Sequence, residues 1–256
     1  MRMTIYAHDH LQPMSRSTPL VLGIFGSLVV SVVAMVLVPQ AQIGGLQAQV
    51  DRDNDDKTKI LDVYPTDRVK YGAKVYASEG CIVCHSQQVR DTQNGEDQPR
   101  GWGERRTVAR DYIYDATTFL GSSRLGPDLA NAGAKTWRNE AENDSHRPAK
   151  RDAAWHYLHL YKPTAIIAES NMPPYPYLFE KRKISGQRSN NALPTDQVQI
   201  EDGWEIVPKA EARELVAYLL SLDRSHPLKE VKSEAPAAAP APAAPPAPAP
   251  AAPAAK

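Results

Sequence analysis

Cysteine is scarce in this chain of 256 residues, which has only Cys81 and Cys84. No second C-x-x-C exists, so the pair cannot complete the four-ligand set of a structural zinc site. No βαβ pattern surrounds the pair, which disfavours a thioredoxin-like redox motif. The two cysteines therefore need another explanation than metal-thiolate or dithiol chemistry.

An excess of charge of one sign is also missing. The chain has 30 Lys and Arg against 30 Asp and Glu, so its formal net charge is zero. A nucleic-acid partner has no electrostatic support, and none is predicted. No internal repeat is visible. From Ala235 to the final Lys256 the sequence contains only Ala and Pro, which predicts an extended, partly polyproline-like tail that packs in no core.

Only one long hydrophobic run exists, at residues 19–38, and it contains no charged residue. Its length matches the roughly 20 apolar residues that cross a bilayer as a helix. A cleavable signal peptide has a shorter apolar core of about 7 to 15 residues, and Val38-Pro39-Gln40-Ala41 is a poor cleavage site. A buried core helix is the other alternative. The run predicts a transmembrane helix.

The charges beside this run predict its orientation. Arg2 and Arg16 precede it against the single acid Asp9, whereas aspartates outnumber basic residues at positions 51–62. The positive-inside rule then places the N-terminus in the cytoplasm and everything from about residue 40 outside it.

The two cysteines belong to Cys81-Ile82-Val83-Cys84-His85, and C-x-x-C-H is the attachment signature of a c-type haem. The two thiols add to the haem vinyl groups, and His85 becomes the proximal ligand of the iron. Attachment of this kind occurs in the bacterial periplasm or an equivalent compartment, which agrees with the orientation. We predict one covalently attached haem c.

Two helices frame this motif. Thr66-Asp67 can cap a helix that Gly80 ends just before Cys81. A second amphipathic helix is predicted from Pro208, in its first turn, to about Leu222. The pair resembles the class I cytochrome c domain, in which an N-terminal helix ending in C-x-x-C-H crosses a C-terminal helix at a glycine; here that glycine is Gly72. The predicted fold is mainly α, with one N-terminal transmembrane helix and a class I cytochrome c-like haem domain with long loop insertions.

The sixth iron ligand follows from the positions of the methionines, which are Met1, Met3, Met14, Met35 and Met172. Only Met172 lies in the extracytoplasmic part, in a proline-rich loop with an M-P pair typical of cytochrome axial methionines. A thioether ligand raises the reduction potential relative to two histidines. The alternatives are that Met172 packs in the core or that a histidine is the ligand: His146, His156, His159 or His226.

The proximal histidine needs an acceptor for its other ring nitrogen. The segment Arg124-Leu125-Gly126-Pro127-Asp128-Leu129 resembles the G-P-[ND]-L loop of cytochromes c, and this resemblance assigns to the Pro127 carbonyl the hydrogen bond from His85. Arg124 is a candidate partner of a haem propionate, because a buried carboxylate needs one. Three other arginines are candidates for the same role: Arg105, Arg106 and Arg110.

Several ordered segments together resemble subunit II of cbb3-type cytochrome c oxidase, the FixO-like membrane-anchored monohaem subunit. They are E-G-C-x-V-C-H-S-Q from Glu79, Tyr114-Asp115, Ser123-Arg124 with G-P-D-L, W-H-x-x-H-L from Trp155, and E-S-N-M-P-x-Y-P from Glu169. Three stretches lie outside the family pattern, at residues 91–110, 138–150 and 181–204.

The resemblance implies an electron relay. In that family the subunit passes electrons from a donor, a second cytochrome c subunit or a soluble cytochrome c, to a catalytic haem-copper membrane subunit that reduces O2 to water. The chain would be a non-catalytic part of an oxidase in the bacterial inner membrane, with its haem domain in the periplasm. The alternatives are the cytochrome c subunit of a nitric oxide reductase, a free-standing membrane-anchored shuttle and a haem-based sensor.

These features predict five regions along the chain. They are a cytoplasmic tail (1–18), a transmembrane helix (19–38), a linker (39–61), a cytochrome c domain (62–223) and the Ala/Pro-rich tail (224–256).

Overall fold

The computed structural model describes residues 17–48, 65–135, 137, 151–228 and 231. The chain divides into two compact units, Met1–Ala48 and Gln49–Lys256. Several sequence predictions fall outside the described residues: most of the cytoplasmic tail, most of the linker, His146 within the 138–150 stretch, and most of the Ala/Pro-rich tail.

The described chain is mainly helical, which confirms the predicted fold class. The helices are α1 (Ser17–Val32), α2 (Val38–Ile43), α3 (Asp67–Ser78), α4 (Ala153–Tyr161) and α5 (Ala210–Ser221), and the strands are β1 (Phe179–Lys183) and β2 (Trp204–Pro208). A π-helical turn lies at Val33–Leu37, and 3₁₀ turns lie at Cys81–Val83, Ala109–Tyr112, Pro163–Ala165 and Pro176–Leu178.

The described part of the first unit contains one continuous helical segment, Ser17–Ile43, of 27 residues, which includes an 18-residue window with a mean hydropathy of 2.7. It is long and apolar enough to cross a membrane, since such a helix is about 40 Å long and the hydrocarbon core about 30 Å thick. The helix widens into its π turn just before Pro39, which has no N–H to donate to the preceding turn. The Ser27 and Ser31 hydroxyls donate to helix carbonyls at 2.8 Å. Their donors are therefore satisfied within the helix, as the hydrocarbon core of a membrane requires.

The second unit is organised by the crossing of α3 and α5. A Cβ atom at Gly72 would lie 2.0 Å from the carbonyl oxygen of Glu214, so only glycine allows this approach. The predicted crossing at Gly72 is therefore confirmed. Tyr76 and Tyr218 pack across the same crossing, with ring centroids 5.5 Å apart. Thr66 caps α3 by accepting a hydrogen bond from the Val69 N–H.

The start of the last helix was predicted wrongly. Pro208 does not lie in its first turn: it is the last residue of β2, where it stands opposite Phe179 of β1, and α5 begins at Ala210. The two antiparallel strands occupy the ends of the 181–204 stretch, which the sequence indicated only as an insertion. Proline is tolerated there because it stands at the end of a two-stranded sheet.

Helix α4 lies between the haem motif and the hairpin along the chain. Asp152 caps it by accepting a hydrogen bond from the Trp155 N–H at 3.0 Å. Its buried side chains, with those of α3, α5 and the hairpin, form one core. The residues that contribute from α4 and α5 are Tyr157, Leu158, Leu160, Ala212, Leu215, Val216, Tyr218 and Leu219.

Candidate haem site

The C-x-x-C-H motif folds as a tight turn at the end of α3. Gly80 adopts φ 70°, a left-handed conformation that ends the helix at little cost only for glycine. The backbone then forms a 3₁₀ turn, and the His85 N–H donates to the Cys81 carbonyl at 3.0 Å. The turn thus presents both cysteines and His85 within one helical turn. Both cysteines are half-buried free thiols.

Burial controls the protonation of this turn. It raises the pKa of the Cys81 thiol to about 12, and Glu79 adds to the effect. Burial also lowers the pKa of the His85 imidazole, although its bond to Pro127 and the nearby Asp128 act in the opposite direction. The motif therefore holds a neutral thiol and a neutral imidazole, the state that metal ligation by histidine requires.

The His85 ring is oriented by the proximal loop, residues 124–129. Its Nδ1–H donates to the Pro127 carbonyl at 2.8 Å, so the lone pair of this neutral ring lies on Nε2. Among the described residues no group hydrogen-bonds to Nε2. A metal-ligating histidine needs this arrangement, with one nitrogen held and the other available. The residues present therefore fit a haem iron.

A glycine makes this contact possible. A Cβ at Gly126 would lie 2.2 Å from Cε1 of His85, so the backbone packs directly on the imidazole. The loop is fixed along the motif by two backbone bonds, from the Gly126 N–H to the Cys84 carbonyl at 3.0 Å and from the Leu129 N–H to the Ser86 carbonyl at 2.8 Å.

Asp128 connects the proximal loop to the segment that follows His85. Its carboxylate accepts from the Ser86 hydroxyl at 2.5 Å and from the N–H groups of Gln88 at 2.8 Å and Ala130 at 2.9 Å. The carboxylate is fully buried, and burial raises its pKa although these hydrogen bonds lower it. These bonds fix Asp128, and with it the backbone of the neighbouring Pro127 whose carbonyl accepts the bond from His85.

Arg124 and Asp97 extend this network. The Arg124 Nε donates to the Ser86 hydroxyl at 2.8 Å, and its terminal nitrogens donate to Asp97 and to the Gln88 carbonyl. Asp97 is fully buried and also accepts the N–H and the guanidinium of Arg90. The protein thus occupies the Arg124 guanidinium, and its contact with a haem propionate stays a prediction.

Met172 is half-buried and packs against the core, as do Cys81 and Ile82 of the motif. Its loop is fixed at two points: the Tyr175 N–H donates to the Leu160 carbonyl of α4 at 2.8 Å, and the Tyr177 hydroxyl bonds to Glu79, just before the motif. The bond to Glu79 places this part of the loop beside the C-x-x-C-H turn, two residues before Cys81. Ligation of the iron by Met172 stays a prediction.

The histidines weighed against Met172 have different surroundings. His156 is buried, and its Nδ1 bonds to the Asp152 carbonyl at 2.8 Å. His159 is half-buried and stacks on Trp155, with ring centroids 4.7 Å apart and planes at 14°. Burial lowers the pKa of His159 to about 4, with smaller contributions from His156, His85 and Arg151.

Sequence reasoning missed three members of this neighbourhood. Asp97 gave no signal, because it meets Arg124 only through the fold. Ser86 belongs to the segment E-G-C-x-V-C-H-S-Q, but its hydrogen bonds with Asp128 and Arg124 could not be predicted from that segment. Arg151 gave no signal either, because it precedes Asp152, the cap of α4, and so helical spacing does not relate it to Trp155 or His159. In the described residues, no group of three or more His, Cys, Asp or Glu side chains could hold a metal ion.

A helix that ends at C-x-x-C-H and crosses a later helix at a glycine, with a proline carbonyl on the motif histidine, defines the class of cytochromes c. The family model described as cytochrome C oxidase, mono-heme subunit/FixO matches residues 15–213. The chain belongs to this family, as the order of its motifs predicted. A search of curated proteins found no match. The protein is therefore a membrane-anchored mono-haem subunit of a multi-subunit cytochrome c oxidase and acts in electron transfer.

Proposed function

We propose that Cys81 and Cys84 bind one haem c covalently, that His85 and Met172 ligate its iron, and that the chain relays electrons to a catalytic haem-copper subunit. That subunit would reduce O2 to water. The donor would be a second cytochrome c subunit or a soluble cytochrome c. The observation that carries this proposal is the 2.8 Å bond from His85 Nδ1 to Pro127, which leaves Nε2 for the iron.

When bound, the haem supplies a one-electron Fe3+/Fe2+ couple. The chain's own residues fix the positions of the side chains that would ligate the iron. The Pro127 carbonyl and the Gly126 backbone fix the imidazole plane, and the Met172 loop is tied to α4 and to Glu79. If His85 and Met172 both hold the iron, no position would be left for O2, and the thioether would favour the ferrous state. The chain itself then has no catalytic site.

The anchor supports a location in the bacterial inner membrane. With Arg2 and Arg16 before the span and an excess of aspartates after it, the N-terminus would be cytoplasmic and the haem domain periplasmic. We propose residues 62–223 as that domain. A tether in the bilayer keeps the domain at high effective concentration near a membrane partner.

Purification from native membranes through a tag on this chain tests the relay. Reduced-minus-oxidised and carbon-monoxide difference spectra, with metal analysis, should show b-type haem, a carbon-monoxide-reactive component and copper beside the haem c. Non-haem iron in place of copper would indicate a nitric oxide reductase. A c-type spectrum alone under gentle detergent would indicate a free-standing shuttle.

The ligands are tested separately by substitution. Cys81→Ala with Cys84→Ala should abolish covalently bound haem on a denaturing gel. Met172→Ala should keep the haem but allow the ferrous iron to bind carbon monoxide, because the sixth position opens. His146→Gln and His226→Gln are the matched controls, since they remove rival ligands. A Met172→Ala protein that keeps its ferrous spectrum and does not bind carbon monoxide would refute the assignment.

A further inference from the structure

Two arginines that were candidates for binding a haem propionate already have acidic partners in the protein. Arg105 forms a bidentate pair with Asp111 at 2.8 and 2.9 Å, and both side chains are almost fully buried. Arg124 bonds to the buried Asp97. A half-buried propionate needs a partner that is still available.

Arg151 has no such acid. Its guanidinium lies over the Trp137 ring, 4.3 Å from the centroid, and over the Trp155 ring at 5.4 Å. Within the described chain it forms no hydrogen bond and no ion pair. Burial lowers its pKa, because the surrounding rings replace water around the charge. The guanidinium therefore lies on two aromatic faces, and no described residue accepts a hydrogen bond from it.

His159 is the second polar group on the same tryptophan. Its ring stacks on Trp155, and neither of its nitrogens bonds to a described residue. Nδ1 is buried without a hydrogen-bond partner among the described residues. Nε2 is not buried in this way. The ring nitrogens of a half-buried imidazole normally form hydrogen bonds with the protein, a ligand or water. Here no described residue is such a partner.

Trp155, on which His159 stacks, packs against the same core as two residues of the C-x-x-C-H motif, Cys81 and Ile82. The charges of His85 and Arg151 each contribute to lowering the pKa of His159, so each of the two lies within electrostatic reach of that imidazole. The Leu160 carbonyl, one residue further, accepts the bond from Tyr175 in the loop that follows Met172. Met172 also packs against the same core.

We propose that His159 and Arg151 form the binding site of a haem propionate carboxylate. His159 donates a hydrogen bond through Nε2 to a carboxylate oxygen, and Arg151 supplies the opposite charge from its position on Trp137 and Trp155. The inference rests on the proposed haem attachment, and it names which residues orient the cofactor's acidic edge. Charge-assisted bonds of this kind are about twice as strong as neutral ones.

The consequence is a change in redox behaviour. A cation and a donor at the propionate offset its negative charge, which otherwise favours the ferric iron. Loss of either group should therefore lower the midpoint potential of the haem. A purely structural role for Trp155, Arg151 and His159 would alter stability and leave the propionate vibrations unchanged.

The test uses the full-length holoprotein in its complex, with haem 13C-labelled at the propionate carboxyl groups. Arg151→Gln and His159→Leu should lower the potential in a spectroscopic redox titration and shift the 13C-sensitive carboxylate bands of the redox-difference infrared spectrum. Arg151→Lys, which keeps the charge, should restore most of the potential. His159→Gln, which keeps an N–H donor, is the second variant if His159→Leu does not fold. Arg68→Gln is the control: its side chain is 54% exposed, and the substitution should leave the potential and the 13C-sensitive bands unchanged.

Unchanged 13C-sensitive bands in both Arg151→Gln and a folded His159 variant would overturn the proposal. Shifts confined to unlabelled carboxylate bands would also overturn it, because the site would then bind a carboxylate of another chain. Failure of the proposed function is distinguishable, since the wild-type protein itself would then lack covalently bound haem or Met/His ligation.

Discussion

The two sides of the haem motif satisfy their polar groups in different ways. On the proximal side, residues 86–97 and 124–131 bond to one another, so that the Asp128 and Asp97 carboxylates are both buried and fully paired. On the α4 side, Arg151 and His159 lie against tryptophan rings and bond to no described residue. The carboxylates of the first side are paired without a ligand, whereas the second side has polar groups that no described residue pairs.

This difference separates two tasks. The proximal network holds the His85 ring before any haem is present, which reduces the conformational entropy lost on ligation. The α4 side gains partners only with the haem, so we expect it to affect the potential more than the fold. Substitutions on the two sides should therefore act on different observables. The Arg151 and His159 variants probe one side, and the substitutions below probe the other.

The largest effect on stability should come from Asp97→Ala. It leaves Arg90 and Arg124 without their buried partner, and breaking a buried pair costs about 3–5 kcal/mol. Denaturant unfolding of the holoprotein measures it. Asp196→Ala, at an exposed position, should change the free energy of unfolding by no more than about 0.5 kcal/mol. A cost for Asp97→Ala as small as this control would show that the network does not support the proximal side.

Gly126→Ala should have the next largest effect. Its Cβ would lie 2.2 Å from the imidazole, so the loop or the ring must move, and such overpacking costs about 1–3 kcal/mol. Because the Pro127 bond moves with the loop, the visible spectrum of the low-spin haem should change as well. Gly186→Ala is the matched control: it adds backbone strain at φ 78° with no atom nearby, and should leave the spectrum unchanged.

Low pH should reduce the stability of the protein, because it protonates the Asp97 carboxylate of the proximal network. Burial alone would raise the pKa of Asp97, but the bonds from Arg90 and Arg124 outweigh it and lower the pKa below its usual 3.8. The unfolded chain therefore binds this proton first, and the stability that the carboxylate contributes is lost as the pH falls below about 3.8. Unfolding of the wild type between pH 5 and 2.5 should be steeper in pH than that of Asp97→Asn. Equal slopes would contradict the pairing.

The smallest effect should come from Arg68→Gln, which removes an ion pair with Glu214 beside the helix crossing. The Arg68 side chain is 54% exposed, and surface pairs of this kind contribute about 0.2–1 kcal/mol. Thermal unfolding of the wild type and Arg68→Gln at low and high salt measures this contribution. The difference in stability between the two proteins should largely disappear at high salt. A larger effect would mean that the crossing depends on charge as well as on Gly72.

Much of the site could be read along the chain because its signals are local. The C-x-x-C-H turn, the Gly80 that ends α3 and the Thr66 cap each occupy a few adjacent residues. The role of Gly72 followed from the resemblance to class I cytochromes c. The start of α5 was wrong because Pro208 suits both a helix N-terminus and a strand end, and pairing with β1 decided between them. Asp97 lay in a hydrophilic stretch without any pattern.

The sequence by itself determined the membrane anchor, the haem motif, the two framing helices and the family. These depend on composition and short spacings, which the backbone converts directly into helices and turns. The resemblance also pointed to the bond between His85 and Pro127, which lie 42 positions apart. Only the tertiary structure decided that Arg124 meets Asp97, 27 positions away. Such contacts depend on how loops close over the core, and residue spacing along the chain does not encode that geometry.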